Sequence, residues 1–355
     1  MNKGNSSTLS FENQIFFVGI DVHKKKWHVT IRSSNMELKT FVMDPVPEQL
    51  SVYLHKNYPD GSFKAAYEAG FCGFWIQRKL SQLGVECIVV NPADIHTNQK
   101  EKLSKTDKLD SRKLAIELQI GRLKSIHVPK FEDQLIRSLC RLRHSLVKDS
   151  TRIKNRIKGF LNLYGAKINK DSDRRWSGAY IRKLEMASQQ LPGGETLKIL
   201  TNNLKMIKLQ IKSCTHDLRN SLRRSGKGDS VILLMSVPGI GFLTAATLCC
   251  ELINVNRFPT FNHLAAYVGF IPTMHESAET KRSGELTPRG NAKLKYMLIA
   301  AAWTAVKKDP VLLNKFDQLS KRMKKQKAII KIAKKLLSRI YSVWKNQTPY
   351  VLGTI

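Results

Sequence analysis

Four carboxylates stand in a chemically useful order in the first third of the chain. Asp21 lies towards the end of the apolar run QIFFVGIDV, Glu68 ends the string AAYE, and Asp107 and Asp110 stand three residues apart in KTDKLDS. Residues three apart on a helix share a face, so the last two carboxylates are expected to point the same way. Carboxylate oxygens are hard ligands that suit Mg²⁺. Two such ions held about 3.5 to 4 Å apart can activate an attacking oxygen and stabilise a leaving one in phosphodiester cleavage.

Each acid also has a structural explanation when it is taken alone. Asp107 fits a helix cap or the positive end of a helix dipole, and Glu68 fits the exposed end of a strand. Asp21 is harder to explain in this way, because a carboxylate in an apolar strand is costly to bury unless another group compensates it. The four acids favour one metal site if the elements that carry them meet.

Hydrophobic periodicity predicts those elements. It gives, in order, strand 14–22, strand 26–32, strand 39–43, helix 47–58, strand 63–68, helix 72–83, strand 87–91 and helix 106–120. Three hairpin strands followed by alternating helices and strands are typical of a mixed α/β sheet of the ribonuclease H type. In that arrangement the first strand, the fourth strand and the last helix meet at one edge. A doubly wound nucleotide-binding fold fits less well, because no glycine-rich turn follows the first strand.

Two long amphipathic helices are predicted next. The apolar positions step by threes and fours, with one polar member, in the seam Leu135, Leu139, Leu142, Leu146, Ser150, Ile153, Ile157, Phe160 and Tyr164. A second seam runs through Leu197, Leu200, Leu204, Ile207, Ile211, Cys214 and Leu218. This spacing predicts either a helical hairpin within one chain or a dimerising coiled coil.

The remaining region is predicted to be largely helical. The string SVPGIGFLTAATLCCEL has the form of a helix, a tight turn and a second helix, and its glycines are Gly239 and Gly241. In helix-hairpin-helix modules such glycines let backbone N–H groups approach a phosphate, although an ordinary turn between two helices has the same form. The predicted domains are residues 1–130, 131–225 and 226–355.

The charge of the chain points to a polyanionic partner. The 355 residues contain 60 Lys and Arg against 28 Asp and Glu, a formal net charge of +32, and such an excess is most often explained by nucleic acid. With 42% hydrophobic residues, the chain can bury cores and is not a disordered basic tail. No signal peptide and no membrane span is predicted, and six scattered cysteines indicate reduced thiols. These features predict a soluble cytoplasmic protein.

The positive charge is concentrated in two places. The first long helix carries basic residues around its apolar seam, and Arg152 and Arg156 are predicted to contact nucleic acid. Residues 321–335 contain eight Lys or Arg and no acid. Neither a recognition helix for the major groove nor a regular aromatic platform for base stacking is evident.

The strings GIDVHKKKWHVTI, YEAG and KTDKLDS resemble the RuvC-like DEDD domain of transposases of the insertion-sequence-110 family, relatives of the Piv-type invertases. The resemblance implies that two Mg²⁺ ions are bound by the acids Asp21, Glu68, Asp107 and Asp110. One departure is Ser111, where Ala is commoner in the family.

A second block near the C-terminus resembles the same transposases. A Pro followed by a Ser, a basic stretch and a Gly-Asn pair is matched by Pro272, Ser277, Arg289, Gly290 and Asn291. The resemblance implies that Ser277 is the nucleophile that forms a covalent phosphoserine link to DNA, and that Arg289 and Asn291 contact nucleic acid. Ser283 is the second choice, because it precedes a Gly while Ser277 precedes Ala278. The resemblance also implies donor and target DNA, a structured guide RNA, and a homodimer or homotetramer.

The predicted function is therefore a DNA transposase or recombinase of an insertion sequence. Two alternatives stay open at this stage. One is a hydrolytic two-metal endonuclease of the junction-resolvase kind, in which no covalent intermediate forms. The other is a nucleic-acid-binding scaffold whose acids are structural.

Overall fold

The structure is a computed structural model that describes residues 10–95, 107–168, 176–277, 280–286 and 289–353. For residues 273–277 and 280–286 only the backbone is described. The chain divides into two compact units, residues 1–128 and 129–355. The predicted division of the second part into 131–225 and 226–355 stays a prediction.

The first unit contains the element order that the sequence predicts. The strands and helices are β1 (Ile15–Val22), β2 (Trp27–Arg32), β3 (Glu37–Met43), α1 (Pro47–Asn57), β4 (Ser62–Glu68), α2 (Trp75–Gln82), β5 (Val85–Val90) and α3 (Asp107–Gln119). A single 3₁₀ turn, Pro92–Asp94, follows β5. The predicted start of the last helix near residue 106 lies outside the described residues.

The five strands form one mixed sheet in the order β3-β2-β1-β4-β5. β1 pairs antiparallel with β2 and parallel with β4, and β5 continues the parallel half. Fully buried side chains such as Val18, Ile20, Trp27 and Tyr67 form its core. The apolar strands are therefore covered on their faces, as burial of β-branched and aromatic residues requires. The mixed sheet confirms the predicted α/β class of this unit.

The second unit is mostly helical. Its elements are α4 (Phe131–Leu163), α5 (Gly178–Ala187), α6 (Gly194–Arg224), α7 (Gly228–Met235), α8 (Phe242–Leu252), α9 (Phe261–Val268), β6 (Pro272–Ser277), β7 (Thr280–Leu286), α10 (Ala292–Lys308), α11 (Pro310–Ser320) and α12 (Lys325–Asn346). β6 and β7 pair antiparallel. This hairpin is not evident in the sequence, because its strands PTMHES and TKRSGEL are polar and lack an apolar alternation.

The long helices α4 and α6 pack against each other within one chain. Ile157 near the end of α4 clusters with Leu197 at the start of α6, whereas Ile136 at the start of α4 clusters with Leu218 near the end of α6. The two helices therefore run antiparallel. Of the two predicted arrangements, a hairpin within one chain and a dimerising coiled coil, this is the hairpin.

The predicted seam is wrong in the first third of α4. Leu135 and Leu142 are each 52% exposed, and the buried positions there are Ile136 and Cys140. The reason is a change of partner: Cys140 Sγ lies 3.5 Å from Thr247 Oγ1 of α8, so this part of α4 faces the C-terminal helices. A regular heptad assumes one partner along the whole helix.

None of the described helices combines the length and the apolar character that a membrane crossing requires. All six cysteines are free thiols, as the sequence predicts.

Candidate functional site

Three side chains converge at the end of β1. His23 Nε2 lies 3.0 Å from Asp21 Oδ2 and 3.4 Å from Asp107 Oδ2. One ligand atom from each of these three residues lies within 4.8 Å of the others, a spacing suited to a metal ion. His28 Nε2 is 3.6 Å from Asp107 Oδ2 and extends the cluster. The structure thus joins the first and third of the predicted acids.

Sheet pairing explains why these residues meet. Asp21 is opposite His28 in the antiparallel pair of β1 and β2, so the connection between the strands places His23 beside both. In the parallel pair, Ile20 is opposite Tyr67. Glu68 follows Tyr67 and therefore belongs to the same edge of the sheet as Asp21.

A glycine in β1 brings the third acid to this edge. A Cβ atom at Gly19 would lie 2.0 Å from the backbone oxygen of Ser111 and 2.5 Å from the backbone nitrogen of Ala115. The backbone of α3 therefore rests directly on β1 at Gly19, two residues before Asp21 in the strand. Only a residue without a side chain permits so close an approach, and the contact sets the position of Asp107 and Asp110.

The electrostatics of the cluster favour a cation. Burial raises the pKa of Asp21, and the negative charges of Asp107 and Asp110 raise it further, although His23 opposes them. Asp110 stands three residues after Asp107 in the first turn of α3, a spacing at which two residues share a helix face. Because mutual repulsion disfavours the charged form of clustered carboxylates, a bound divalent cation would relieve it. The donor set of oxygens with one or two imidazoles fits a divalent metal ion.

His23 and His28 are site residues that the sequence analysis missed. They stand five residues apart in the string HKKKWH, on either side of a predicted hairpin. A His two residues after the acid of β1, and another on the strand that pairs with it, could have identified them. The signal is weak in one dimension because histidines in polar loops are common.

A polar network holds α3 on the antiparallel half of the sheet. The buried Ser111 hydroxyl lies 2.9 Å from Thr30 Oγ1, which lies 3.0 Å from Thr40 Oγ1. Arg112 Nη2 donates to Glu37 Oε1 of β3 at 2.7 Å. Ser111, the departure from the family pattern, is therefore used to bind β2. The network connects the helix of Asp107 and Asp110 to β2 and β3.

Glu37→Gln is expected to lower the free energy of unfolding of the first unit by about 1 kcal/mol, since a charge-assisted hydrogen bond to a partly exposed arginine is lost. The hydrogen bond from Arg112 holds the pKa of Glu37 below its usual range. A depressed folded-state pKa gives stability that is present at neutral pH and lost as the pH falls through that pKa.

Denaturant unfolding of both proteins at neutral pH and below pH 4 tests this. The difference between wild type and Glu37→Gln should disappear in acid. Glu86→Gln is the matched control, because Glu86 is 67% exposed and its ion pair with Lys64 is long, at 3.8 Å. An exposed ion pair of this kind contributes little to stability. A loss in Glu86→Gln as large as that in Glu37→Gln would contradict the assignment.

The two glycines predicted to contact phosphate have different surroundings. Gly239 has a φ of +83°, and a Cβ there would lie 2.5 Å from the backbone oxygen of Ala301 in α10. Gly241 precedes α8 and has no atom within 4 Å of its Cβ position. The N-terminus of α8 at Gly241 is thus open. The turn at Gly239 instead packs directly against the backbone of α10.

The other predicted contact residues lie on the surface or at helix ends. Arg152 and Arg156 are exposed on α4, and Arg152 forms an ion pair with Asp149 at 2.6 Å. Arg289 is exposed. Asn291 caps α10, where its side chain accepts a hydrogen bond from the Leu294 N–H at 3.1 Å. Asn291 therefore has a structural role whether or not it also contacts nucleic acid.

Some basic residues of α4 are used inside the protein. Glu251 is 1% exposed and accepts two hydrogen bonds from Arg141, at 3.0 and 2.9 Å. Burial raises the pKa of Glu251, but Arg141, Arg137 and Lys293 outweigh it, so the pKa is lowered overall. These cations compensate a buried carboxylate, which reduces the charge that α4 offers to a polyanion.

The two candidate serines lie on opposite strands of one hairpin. Ser277 ends β6 opposite Thr280, and Ser283 of β7 is opposite Met274. Their side chains, and residue Ala278, lie outside the described residues.

Two family models match the chain. One is described as the transposase IS116/IS110/IS902 family and matches residues 232–317. The other, a transposase model of the IS110 DEDD type, matches residues 18–166. The first range contains Ser277 and Asn291, and the second contains all four acids.

Several relatives are similar over most of their length. A Sinorhizobium fredii protein assigned as transposase y4rJ is 27% identical over 93% of this chain and 91% of its own. The transposase for insertion sequence element IS1111A of Coxiella burnetii is 24% identical over 78% and 76%. The transposase for insertion sequence element IS1533 of Leptospira borgpetersenii is 27% identical over 68% and 70%.

Proposed function

Since this chain belongs to the IS110 family of DEDD transposases, which act on DNA and use divalent metal ions, we propose how its own residues divide the work of cutting and rejoining DNA. The metal ligands are Asp21, Glu68, Asp107 and Asp110. Two Mg²⁺ ions are assigned to them, and Ser277 is assigned as the nucleophile.

The observation that carries this proposal is the convergence of Asp21 and Asp107 at one sheet edge, with Asp110 close enough to raise the pKa of Asp21. Bound divalent cations would supply positive charge to an attacking and a leaving oxygen. The protein orients the carboxylates through β1 and α3, and His23 Nε2 contacts an oxygen of both Asp21 and Asp107, at 3.0 and 3.4 Å. Neutralised by a cation, the cluster no longer repels a phosphodiester.

The serine step conserves the energy of the broken bond. Ser277 Oγ loses its proton and forms a bond to phosphorus, while the bond from phosphorus to the leaving DNA oxygen breaks and that oxygen gains a proton. The product is a phosphoserine ester, which a DNA hydroxyl can attack to rejoin a strand. The resemblance of the Pro272 to Asn291 segment to the family supports Ser277.

A covalent-adduct assay tests the nucleophile. Wild-type protein, Mg²⁺ and DNA from the ends of the element should give a protein–DNA adduct that survives denaturation, and Ser277→Ala should reduce it at least tenfold. Ser283→Ala is the matched control and should retain the adduct. Loss in Ser283→Ala alone would move the role to Ser283.

The same assay separates the hydrolytic alternative. Metal-dependent strand cutting that persists in Ser277→Ala and Ser283→Ala without any adduct would indicate a hydrolytic two-metal endonuclease. The scaffold alternative is set aside, because the family matches assign a DNA transposase activity.

We also propose a guide RNA and a homodimer or homotetramer on DNA, with residues 131–225 involved in both contacts. The net charge of +32 and the exposed Arg152 and Arg156 support nucleic-acid binding by this region. The helix-hairpin-helix assignment rests on the open backbone at Gly241. Sequencing of RNA that copurifies with the protein, and the mass of the complex in solution, test these assignments.

A further inference from the structure

Two large aromatic side chains are exposed directly beyond Glu68. Phe71 is 64% exposed and Trp75 is 47% exposed. Phe71 lies in the connection after β4, and Trp75 begins α2. Because Glu68 ends β4 at the edge that carries Asp21, both rings follow the proposed metal site in the chain within seven residues.

Phe71 lies near the connection that carries His23, and Trp75 lies near the first residue of β2. Lys24 Nζ, in the β1–β2 connection, lies 5.9 Å from the centroid of the Phe71 ring. Trp75 packs on Trp27, with ring centroids 6.4 Å apart. Trp27 is fully buried and is opposite Val22, the neighbour of Asp21. The residues near the two rings, Lys24 and Trp27, therefore belong to the same stretch of chain, residues 21–28, that carries Asp21 and His23.

The connection that presents the rings is held in place. The hydroxyl of the buried Tyr67 donates to the Gly73 carbonyl at 2.9 Å and accepts from the Gln77 N–H at 3.3 Å. Gly73 has a φ of +60°, which favours glycine. Tyr67 precedes Glu68, so the position of the rings is tied to the strand that carries the acid.

The charge around the rings matches a polynucleotide. Lys24, Lys25 and Lys26 are exposed in succession, and among the described residues no carboxylate lies within 4.0 Å of their ammonium groups. An exposed aromatic ring with a lysine beside it is a combination that binds unstacked bases, the ring taking the base and the cation a phosphate. A protein partner would be expected to bring acidic side chains instead.

We propose that Phe71 and Trp75, assisted by Lys24, stack a nucleotide base that is unpaired beside the phosphodiester held at the acid cluster. This inference rests on the proposed function, because it requires DNA at that cluster. Stacking of an unpaired base on these rings would hold the DNA strand beside the acid cluster, and it would not require hydrogen bonds to the edge of the base.

Binding without cleavage tests the proposal. The probe is a short DNA duplex with one unpaired 2-aminopurine, and Ca²⁺ replaces Mg²⁺ so that no strand is cut. Wild-type protein should quench the probe by stacking, and Phe71→Leu and Trp75→Leu should each bind it about tenfold more weakly and quench it less. Phe71→Tyr and Trp75→Phe keep a ring and should restore both signals.

Tyr296→Leu is the control, because Tyr296 is an aromatic residue 71% exposed on α10. It should bind and quench as wild type does. Unchanged binding and quenching in both leucine variants at Phe71 and Trp75 would overturn the proposal. Ser277→Ala, which removes the proposed nucleophile, should still quench, so failure of the serine assignment is distinguishable from failure of base stacking.

Discussion

Asp21→Asn is expected to reduce metal-dependent DNA cleavage by about three orders of magnitude, the scale of losing an electrostatic contact to the reacting groups. Asn has nearly the same shape but no charge, so it replaces a charged metal ligand by a weaker neutral one without creating a cavity. Its Oδ2 lies 3.0 Å from His23 Nε2, so the substituted group faces the cluster. The variant relieves a buried charge and should therefore fold.

Two measurements check this result. Strand cleavage gives the loss of rate, and titration with Mn²⁺ followed by electron paramagnetic resonance gives the loss of metal binding. Asp44→Asn is the control, since Asp44 is an exposed acid of the same unit and its substitution makes the same charge change. Normal Mn²⁺ binding by Asp21→Asn would refute the assignment of Asp21 as a ligand.

Gly19→Ala is expected to lower the free energy of unfolding of the first unit by about 3 kcal/mol and to abolish Mn²⁺ binding. The added methyl group would stand 2.0 Å from a backbone oxygen of α3, so the helix must move away from β1. Overpacking against backbone is costly because no side chain can rotate to relieve it. The same movement would withdraw Asp107 and Asp110 from Asp21.

Gly159→Ala is the matched control, since no atom lies within 4 Å of its Cβ position on α4. It should be neutral or stabilising, as Ala is favoured over Gly within helices. Denaturant unfolding and Mn²⁺ titration measure both variants. Wild-type stability and metal binding in Gly19→Ala would show that α3 does not rest on β1 as described.

Local patterns predicted the elements of the first unit well because their apolar residues are buried on regular faces. The order of five strands and three helices follows from runs such as QIFFVGIDV and CIVV. The β6–β7 hairpin was missed because charged strands carry no such pattern. The seam of α4 was misplaced at Leu135 because the helix changes partner along its length.

The sequence by itself determined the family, the α/β class of the first unit and the order of the four acids. Each of these follows from residue types and short spacings. The tertiary structure alone decided that His23 contacts both Asp21 and Asp107, that Arg141 neutralises Glu251, and that Trp75 packs on Trp27 of β2. These facts depend on contacts between residues far apart in the chain, such as the one made possible by Gly19, and no local pattern encodes which distant backbone will approach.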